Sequence, residues 1–344
     1  MTPRRRDDER LRDVLVLTVR KSFWASRESE IFPRRVFVPT LVGHSTSLVN
    51  TALVAVRALA AALRRRPRLL LVGSAHRLVP ALLLLRRAGG LRRTGLIVTN
   101  QVYFGPRLGR HADRVIVYSR RETLGRPNYV YLPIPADGDF DAVVPAAAPE
   151  PYVFSGGGTL RDYGSLFAAM AGTGLPLTVV THSPATLDVD GPPPPGCRVL
   201  WRMPLDRFLS LMAGSLFVVV PLRGLDTPHG HTTIAQALCL GKAVVTTRGA
   251  AVADYVRDGV EGLLVEPGDV AGYRQAIRRL ATDDDLRRSC ERAARARAPE
   301  FSYTSFARSL VALCGEVLAE LDGDAAGSST KPVRSRRQSG SRRG

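Results

Sequence analysis

The sequence predicts an α/β protein with two domains, each built on a parallel β-sheet. Short apolar segments of strand length alternate along the chain with segments of helical periodicity, which is typical of parallel sheets covered by helices. A segment rich in Pro, Ala and Asp, residues 137–151, interrupts this alternation near the middle of the chain. The 344 residues suffice for two domains of ordinary size on either side of such a linker.

The first domain, residues 1–136, begins with a charged leader and then alternates strands with helices. Apolar runs that are buried on both faces are expected of parallel strands. Strands are predicted at Val14–Val19, Leu69–Val72, Gly95–Thr99 and Arg114–Tyr118, and helices at Ser45–Leu63 and Val79–Arg87. Arg20–Pro39 is predicted to be irregular, and Ser119 to open a helix or turn.

The second domain, residues 152–302, continues the alternation after the linker. Its predicted strands are Tyr152–Ser155, Leu177–Thr181, Val199–Trp201, Leu216–Pro221, Ala243–Thr247 and Leu263–Val265. Its predicted helices are Tyr163–Ala171, Asp206–Ala213, Ile234–Leu240, Val270–Leu280 and Asp285–Arg297. Ser183–Gly196 contains four consecutive prolines and is predicted to have no regular structure. A terminal helix is predicted over residues 303–321. Residues 322–344 are predicted to be a disordered basic tail, because they contain too few apolar residues to fold.

The most informative stretch of the chain is Val218–Asp269, because it places a polar, Gly-containing loop between a buried strand and a helix. Thr232 or Thr233 is the predicted N-cap of that helix, and Gly241 ends it. The first backbone N–H groups of a helix have no partners within it and lie at the positive end of its dipole. The stretch therefore predicts a site for a phosphate or another anion, or else an ordinary strand–helix–strand unit with threonine caps.

Two sequence elements in this stretch, QALCLGKAVV and DYVRDGVEGLLVEPGD, resemble the nucleotide-sugar site of GT-B glycosyltransferases of the family-4-like group. The resemblance is close over the C-terminal half of the chain and only general over the N-terminal half. It implies two Rossmann-like domains with a cleft between them, and a terminal helix that crosses back to the first domain. It further implies transfer of a sugar from a nucleotide-diphosphate sugar to a glycan, lipid-linked or small-molecule acceptor.

The same resemblance assigns the residues that would hold the nucleotide diphosphate. Gly156, Gly157 and Gly158 follow a strand, and Arg161 takes the place of one of the two diphosphate-binding cations of the family. The backbone of a glycine turn can approach a phosphate closely, and a guanidinium can bind it with two hydrogen bonds. A plain glycine turn beside a surface arginine is the alternative. Arg223, in the loop before the key helix, is a candidate for the missing second charge.

The chain departs from the family at its E-x7-E motif, in which two glutamates eight residues apart bind the donor. Gln236 stands in place of the second glutamate and can still bind ribose hydroxyls, whereas Pro228 replaces the first. Thr232 and Thr233 would contribute backbone amides to the diphosphate. Asp254 replaces a frequent glutamate in the following element and is equally well explained as a helix N-cap.

Four further residues are candidates near the transferred sugar. His229 and His231 flank Gly230 in the loop, and a direct contact with the donor is predicted for one of them. His76 follows a strand of the first domain, and Asn100 falls where many relatives carry a histidine. The resemblance implies a retaining reaction without a metal ion or cofactor, in which the leaving phosphate can serve as the base.

The net charge of +18 is concentrated rather than spread evenly. Residues 51–126 contain sixteen arginines and two acids, a net of +14, and the segment from Lys331 onward adds six positive charges. Apolar helices that end in arginine clusters, Leu48–Arg66 and Leu82–Arg93, suggest an anionic membrane surface as a partner. Composition bias and solvated surface are the alternative explanation, and nucleic acid is disfavoured because no helix-turn-helix, RRM or KH signature accompanies the charge.

The remaining composition bears on location and on other functions. The first residues lack a signal-peptide pattern, no apolar run reaches about 20 residues, and the four cysteines have no metal-binding spacing. The expected location is cytoplasmic, with possible peripheral association with the inner face of the membrane. A non-catalytic GT-B-like scaffold that binds a partner through its basic face is the first alternative function, and a nucleic-acid-binding protein is the second.

Overall fold

The structure is a computed structural model that describes residues 12–19, 32, 35–38, 60, 64, 67–73, 78–99, 105–189, 191–223 and 229–329. The fold consists of two compact units. The first lies within Met1–Ile97, His111–Asp113 and Val311–Gly344. The second lies within Val98–Arg110 and Arg114–Leu310 and contains every described residue of the candidate site. The predicted domain boundaries at residues 136 and 152 stay a prediction.

The first sheet has the strand order β2-β1-β3-β4-β5-β6. Its strands are β1 (Val14–Val19), β2 (Arg35–Val38), β3 (Leu69–Val72), β4 (Gly95–Thr99), β5 (Arg114–Val117) and β6 (Tyr129–Tyr131). The pairs β1–β2, β1–β3 and β5–β6 are parallel, as expected of a parallel sheet, although β2 and β6 were not among the predicted strands. The prediction that residues 20–39 are irregular was wrong at β2, a four-residue strand too short to show a period but long enough to pair with Val16–Val19.

The second sheet has the order β12-β11-β10-β7-β8-β9, and all five of its strand pairs are parallel. Its strands are β7 (Val153–Gly156), β8 (Leu177–Thr181), β9 (Cys197–Trp201), β10 (Val218–Val220), β11 (Val244–Thr247) and β12 (Gly262–Val265). Read from β7, this is the order 3-2-1-4-5-6 of the Rossmann fold. The order reverses between β7 and β10, and ligands bind in such sheets at the carboxyl ends of the strands that flank this reversal.

Most of the described helices lie close to their predicted positions, whereas the short helices at Gly105–Gly109 and Pro184–Leu187 were not predicted. They are α1 (Val79–Arg87), α2 (Gly105–Gly109), α3 (Tyr163–Met170), α4 (Pro184–Leu187), α5 (Leu205–Ala213), α6 (His231–Cys239), α7 (Val270–Thr282), α8 (Asp284–Arg297) and α9 (Tyr303–Ser329). A 3-10 turn at Arg120–Thr123 follows Ser119, whose hydroxyl forms a capping box with Glu122. The predicted helix at Ser45–Leu63 lies outside the described residues apart from residue 60.

Two predictions about helices were wrong. Ser183–Gly196 contains the single turn α4, because Ser183 provides a capping box and Pro184 is compatible with the first position of a helix. Helix α9 runs to Ser329 rather than ending at residue 321. Residues 330–344 lie outside the described residues. None of the described helices is long and apolar enough to span a bilayer.

The second sheet buries side chains on both of its faces, as its apolar strands predict. Along β10 the side chains of Val218 and Val220 pack on one face with α5 and α6, and Val219 packs on the other with α3 and α7. This alternation is the two-residue period of a strand. Each fully buried aliphatic side chain contributes about 1.5–3 kcal/mol relative to exposure. The two cores hold the carboxyl ends of β7 and β10 in fixed positions.

Candidate functional site

The loop after β7 contains a glycine that cannot be replaced without disturbing the site. Gly157 has a φ of +99°, a conformation that residues with a side chain rarely adopt. A Cβ atom at this position would lie 2.5 Å from Nη2 of Arg161. The backbone N–H of Gly157 donates to the carbonyl of Val180, 2.9 Å away. The missing side chain therefore lets the guanidinium of Arg161 lie directly against the turn.

Arg161 is a buried cation, with 5% of its surface exposed. Its Nε donates to the carbonyl of Gly156 at 3.0 Å, and its Nη1 to the carbonyl of Thr159 at 3.0 Å. Its Nη2 donates to the hydroxyl of Thr233 at 3.1 Å. These partners are all neutral oxygens, and burial lowers the pKa of Arg161 below its ordinary value. The interpretation of Arg161 as a surface residue beside a plain glycine turn is therefore wrong.

Helix α6 begins next to this guanidinium. Its N-cap is Gly230, with a φ of +81°, and no side chain caps the helix. The prediction that Thr232 or Thr233 caps the helix was wrong: both lie inside its first turn, because the left-handed conformation of Gly230 starts the helix earlier. Ile234 donates the first helical hydrogen bond, to the carbonyl of Gly230 at 3.0 Å. The open start of α6 and the cation of Arg161 together favour an anion.

Three side chains that sequence reasoning missed fix the loops around this start. The hydroxyl of Tyr163 donates to the carbonyl of Gly157 at 2.5 Å, and burial raises the pKa of Tyr163 to about 12. The hydroxyl of Thr247 lies 2.6 Å from the backbone N of Leu222 and 2.6 Å from the hydroxyl of Tyr273. The sequence could have pointed to Tyr163 and Thr247 through their positions, because Tyr163 begins a helix beside the glycine turn and Thr247 ends a buried strand.

The structure separates the two histidines of the loop. His229 is half-buried, and burial together with the charge of Arg161 lowers its pKa. His231 is 2% exposed, its Nε2 lies 3.0 Å from the carbonyl of Ala251, and its ring is 4.3 Å from that of Tyr255. Because a carbonyl oxygen can only accept, Nε2 of His231 carries a proton. The charge of Arg161 thus acts on His229, whereas His231 is packed into the core.

Gln236 and Arg223 have protein partners in this structure. The side-chain nitrogen of Gln236, which is 4% exposed, donates to the carbonyl of Asp137 at 3.2 Å. Arg223 forms an exposed ion pair with Asp188, and its backbone N–H donates to Leu160 at 3.2 Å. Arg223 therefore braces the loop after β7, and its charge is already paired.

Asp254 does not cap a helix in the structure. The Oδ2 atom of Asp254 accepts a hydrogen bond from the hydroxyl of Ser119 at 3.1 Å and another from the backbone N–H of Arg120 at 2.7 Å. The residues after Asp254 form a turn rather than a helix, so the capping interpretation was wrong. His76, Asn100 and Pro228 lie outside the described residues. Within the described ranges, no cluster of three His, Cys, Asp or Glu side chains could hold a metal ion.

Residues 190–283, which include α6 but not the glycine turn or Arg161, match the family described as Glycosyl transferases group 1. A segment of 118 residues is 32% identical to D-inositol 3-phosphate glycosyltransferase of Acidothermus cellulolyticus. That match covers 34% of this chain and 25% of the relative, so the chain spans about a quarter of the curated relative that it matches.

Solved structures match over nearly the whole chain and show its fold. A glycosyltransferase from Rickettsia africae has a TM-score of 0.65 at 11% identity, covering 91% of this chain and 94% of the other. Anabaena Alr3699/HepE in complex with UDP and glucose has a TM-score of 0.64 at 16% identity, covering 92% and 97%. Sucrose-phosphate synthase from Thermosynechococcus elongatus has a TM-score of 0.65 at 17% identity, covering 83% and 84%. The expected GT-B fold is thereby confirmed.

Proposed function

We propose that this protein, which has the GT-B fold and a group 1 glycosyltransferase segment at residues 190–283, transfers a sugar from a nucleotide-diphosphate sugar. The observation that carries the proposal is Arg161, a buried cation with neutral partners beside the uncapped start of α6. Keeping a cation in such a place costs free energy unless an anion joins it. A diphosphate has the charge and the acceptor oxygens that this arrangement requires.

The proposed chemistry is electrostatic. Breaking the bond between the sugar and the diphosphate leaves negative charge on the leaving phosphate, and donors fixed in advance stabilise that charge most effectively. Arg161 and the amides of Thr232 and Thr233 are such donors in our proposal, because Arg161 is held by the carbonyl of Gly156 and by the hydroxyl of Thr233 in the first turn of α6. In our proposal these groups neutralise the leaving group without a metal ion.

Binding of the nucleoside is assigned to Gln236 and the glycine turn. Gln236 has two amide hydrogens, and the carbonyl of Asp137 uses one of them. The remaining donor and the amide oxygen are the groups that we assign to the ribose hydroxyls. A neutral amide binds hydroxyls less strongly than the glutamate usual in the family, so we expect donor affinity to be modest.

Of the two loop histidines, we assign the donor contact to His229. The lowered pKa of His229 keeps it neutral near pH 7, where it can accept or donate a hydrogen bond at the sugar. A transfer with retained configuration needs no protein base in this scheme, because the leaving phosphate can take the acceptor's proton. The anomeric configuration of the product, measured by NMR, tests this part: an inverted product would contradict it.

The acceptor is proposed to be a glycan or a lipid-linked molecule reached at an anionic membrane surface. The support is a surface of the first unit that comprises Leu84, Arg87, Arg92 and Arg93. Leu84 is 50% exposed, and the three arginines that follow it within nine residues are exposed as well. A segment that exposes an apolar side chain and several cations suits shallow contact with anionic lipid.

The test is a thermal-shift panel of UDP-, GDP-, ADP- and dTDP-sugars followed by a donor-hydrolysis assay. A ligand that binds only the folded state raises the melting temperature, by an amount that grows with its concentration. We expect one nucleotide class to raise it and the corresponding sugar to be released or transferred. Binding without turnover would instead favour the non-catalytic scaffold, and no shift with any of the four would refute the proposed site.

A further inference from the structure

The side chain of Tyr255 joins three parts of the chain that are far apart in sequence. Its hydroxyl donates to the carbonyl of Tyr118 at 2.9 Å and accepts from the backbone N–H of Ile134 at 2.9 Å. Tyr118 directly follows β5, and Ile134 follows β6. Burial, with the neighbouring hydroxyl of Tyr131, raises the pKa of Tyr255 well above its ordinary value, so the phenol keeps the proton that it donates.

The ring of Tyr255 connects these strand ends to the start of α6. One face packs against His231, the first residue of α6, with ring centroids 4.3 Å apart. Phe301 stacks on Tyr255 with centroids 5.2 Å apart. His231 in turn binds the carbonyl of Ala251 through Nε2. The first residue of the helix is thus held by a ring contact and a hydrogen bond rather than by a capping side chain.

Further contacts keep Tyr255 in this position. Arg297 donates from Nη1 to the carbonyl of Tyr255 at 2.9 Å and from Nη2 to the carbonyl of Asp254 at 3.0 Å. The carboxylate of Asp254 binds the Ser119 hydroxyl and the Arg120 backbone. The aromatic ring and the hydroxyl are therefore both fixed, and a change at either is transmitted to His231.

We propose that Tyr255 is a positioning residue. Through its contact with His231 it orients the first turn of α6, and with it the backbone amides that bind the diphosphate. The diphosphate in this statement comes from the proposed function, but the effect of Tyr255 on the start of α6 can be tested without any ligand. Tyr255→Phe keeps the ring stack and deletes both hydrogen bonds of the hydroxyl. The backbone N–H of Ile134 then loses its acceptor, which loosens the ring against His231.

Tyr152→Phe is the matched control. Tyr152 is buried in the same core, and its hydroxyl also donates to a backbone carbonyl, that of Leu211 at 2.6 Å. A general loss of stability should be similar for the two variants. Tyr255 packs against the ring of His231, so an effect confined to α6 in Tyr255→Phe separates positioning from structural support.

The first experiment is hydrogen exchange on the full-length free protein, followed by mass spectrometry. We expect the amides of Ile234–Leu238 to exchange about fivefold faster or more in Tyr255→Phe than in Tyr152→Phe. Equal exchange in the two variants would overturn the proposal, whether or not the protein binds nucleotides. The second experiment is titration with UDP, expected to show weaker binding in Tyr255→Phe and unchanged binding in Tyr152→Phe.

Variants of His231 complete the test. Glutamine can place an N–H near the position of the imidazole Nε2, so His231→Gln should retain more UDP affinity than His231→Leu. Combining Tyr255→Phe with His231→Leu should weaken UDP binding no more than the stronger single change, because both break the same connection. If the losses of UDP affinity in the two single variants add fully in the double variant, Tyr255 does not act through His231. If the wild type binds none of the four nucleotide classes while exchange differs as expected, the proposed function fails but the positioning role of Tyr255 stands.

Discussion

The Nη2 atom of Arg161 lies 3.1 Å from the hydroxyl of Thr233, and this hydrogen bond joins the loop after β7 to the first turn of α6. The two residues lie 72 positions apart, in segments that follow β7 and β10, the strands that flank the reversal of strand order. The contact brings a cation and a helix start to one place, and the first three predictions concern it.

Arg161→Ala should weaken UDP binding by about 10- to 100-fold, because hydrogen bonds to a charged group are each worth about 1.5–3 kcal/mol. Isothermal titration with UDP measures the change. Arg274→Ala is the control, since Arg274 also donates to two backbone carbonyls, those of Ala168 and Ala169, from helix α7. Equal affinity losses in both variants would remove Arg161 from the site.

Thr233→Val should weaken UDP binding about fivefold, because valine has nearly the shape of threonine but cannot accept the hydrogen bond that holds Nη2 of Arg161 in place. Thr178→Val is matched to it: Thr178 is 1% exposed and accepts from Nε of Arg198 at 2.8 Å. Titration of both variants decides the point. If Thr178→Val costs as much UDP affinity as Thr233→Val, the Arg161–Thr233 contact is not specific to binding.

Gly157→Ala should lower both stability and UDP affinity. The alanine would have to adopt a backbone conformation with positive φ, and its Cβ would also displace the guanidinium of Arg161. Gly172→Ala shares the positive φ, +74°, but its Cβ would meet no atom within 4 Å. We expect both to lose about 1 kcal/mol in denaturant unfolding, and only Gly157→Ala to lose affinity in titration. A normal UDP affinity in Gly157→Ala would contradict this assignment.

Glu261→Gln should destabilise the protein in a pH-dependent manner. The Glu261 side chain is fully buried and binds Arg257 and Arg297. Burial acts to raise the pKa of Glu261, but the hydrogen bonds and charges of these arginines outweigh it and lower the pKa below 4.5. A lowered pKa means that the carboxylate stabilises the folded state above pH 4.5 and that this contribution is lost as the pH falls through the folded-state pKa.

Urea unfolding at several pH values measures this effect. The variant should be about 1–3 kcal/mol less stable than the wild type near pH 7, and the difference should shrink below pH 4.5. Glu266→Gln is the control, because Glu266 also pairs with an arginine, Arg248, but is 66% exposed. Exposed pairs contribute about 0–1 kcal/mol. A pH-independent difference for Glu261→Gln would mean that its carboxylate is not the stabilising group.

Leu84→Ser should reduce co-sedimentation with vesicles that contain anionic phospholipid, because it removes the exposed apolar side chain of a segment that also exposes Arg87, Arg92 and Arg93. Binding to vesicles of neutral phosphatidylcholine should be weak for both proteins. Val144→Ser is the control, since Val144 is 76% exposed and lies in the segment 137–151. Unchanged vesicle binding of Leu84→Ser would exclude this surface as the membrane contact.

Much of the fold could be predicted from local pattern. The strands Val14–Val19, Leu69–Val72, Gly95–Thr99 and Leu177–Thr181 and the helix Val79–Arg87 have the predicted bounds. Each is a sustained apolar or amphipathic run with Gly, Pro or Arg at its ends, so burial and local conformational preference agree. The strands β2 and β6, the short helix α2 and the turn α4 were missed. The strand β2 is stabilised by pairing with β1 and α4 by its cap, and a short sequence window reveals neither contact.

By itself the sequence determined the alternation of strands and helices, the glycine turn, the unusual charge and the candidate anion site, because these depend on neighbours along the chain. Only the tertiary structure decided which residues meet there. It buried Arg161 against Thr233, paired Arg223 with Asp188, and turned His231 into the core against Tyr255. The physical reason is that burial and hydrogen bonding at the ends of β7 and β10 depend on side chains that the strand order brings together. The spacing of residues along the chain does not specify that order.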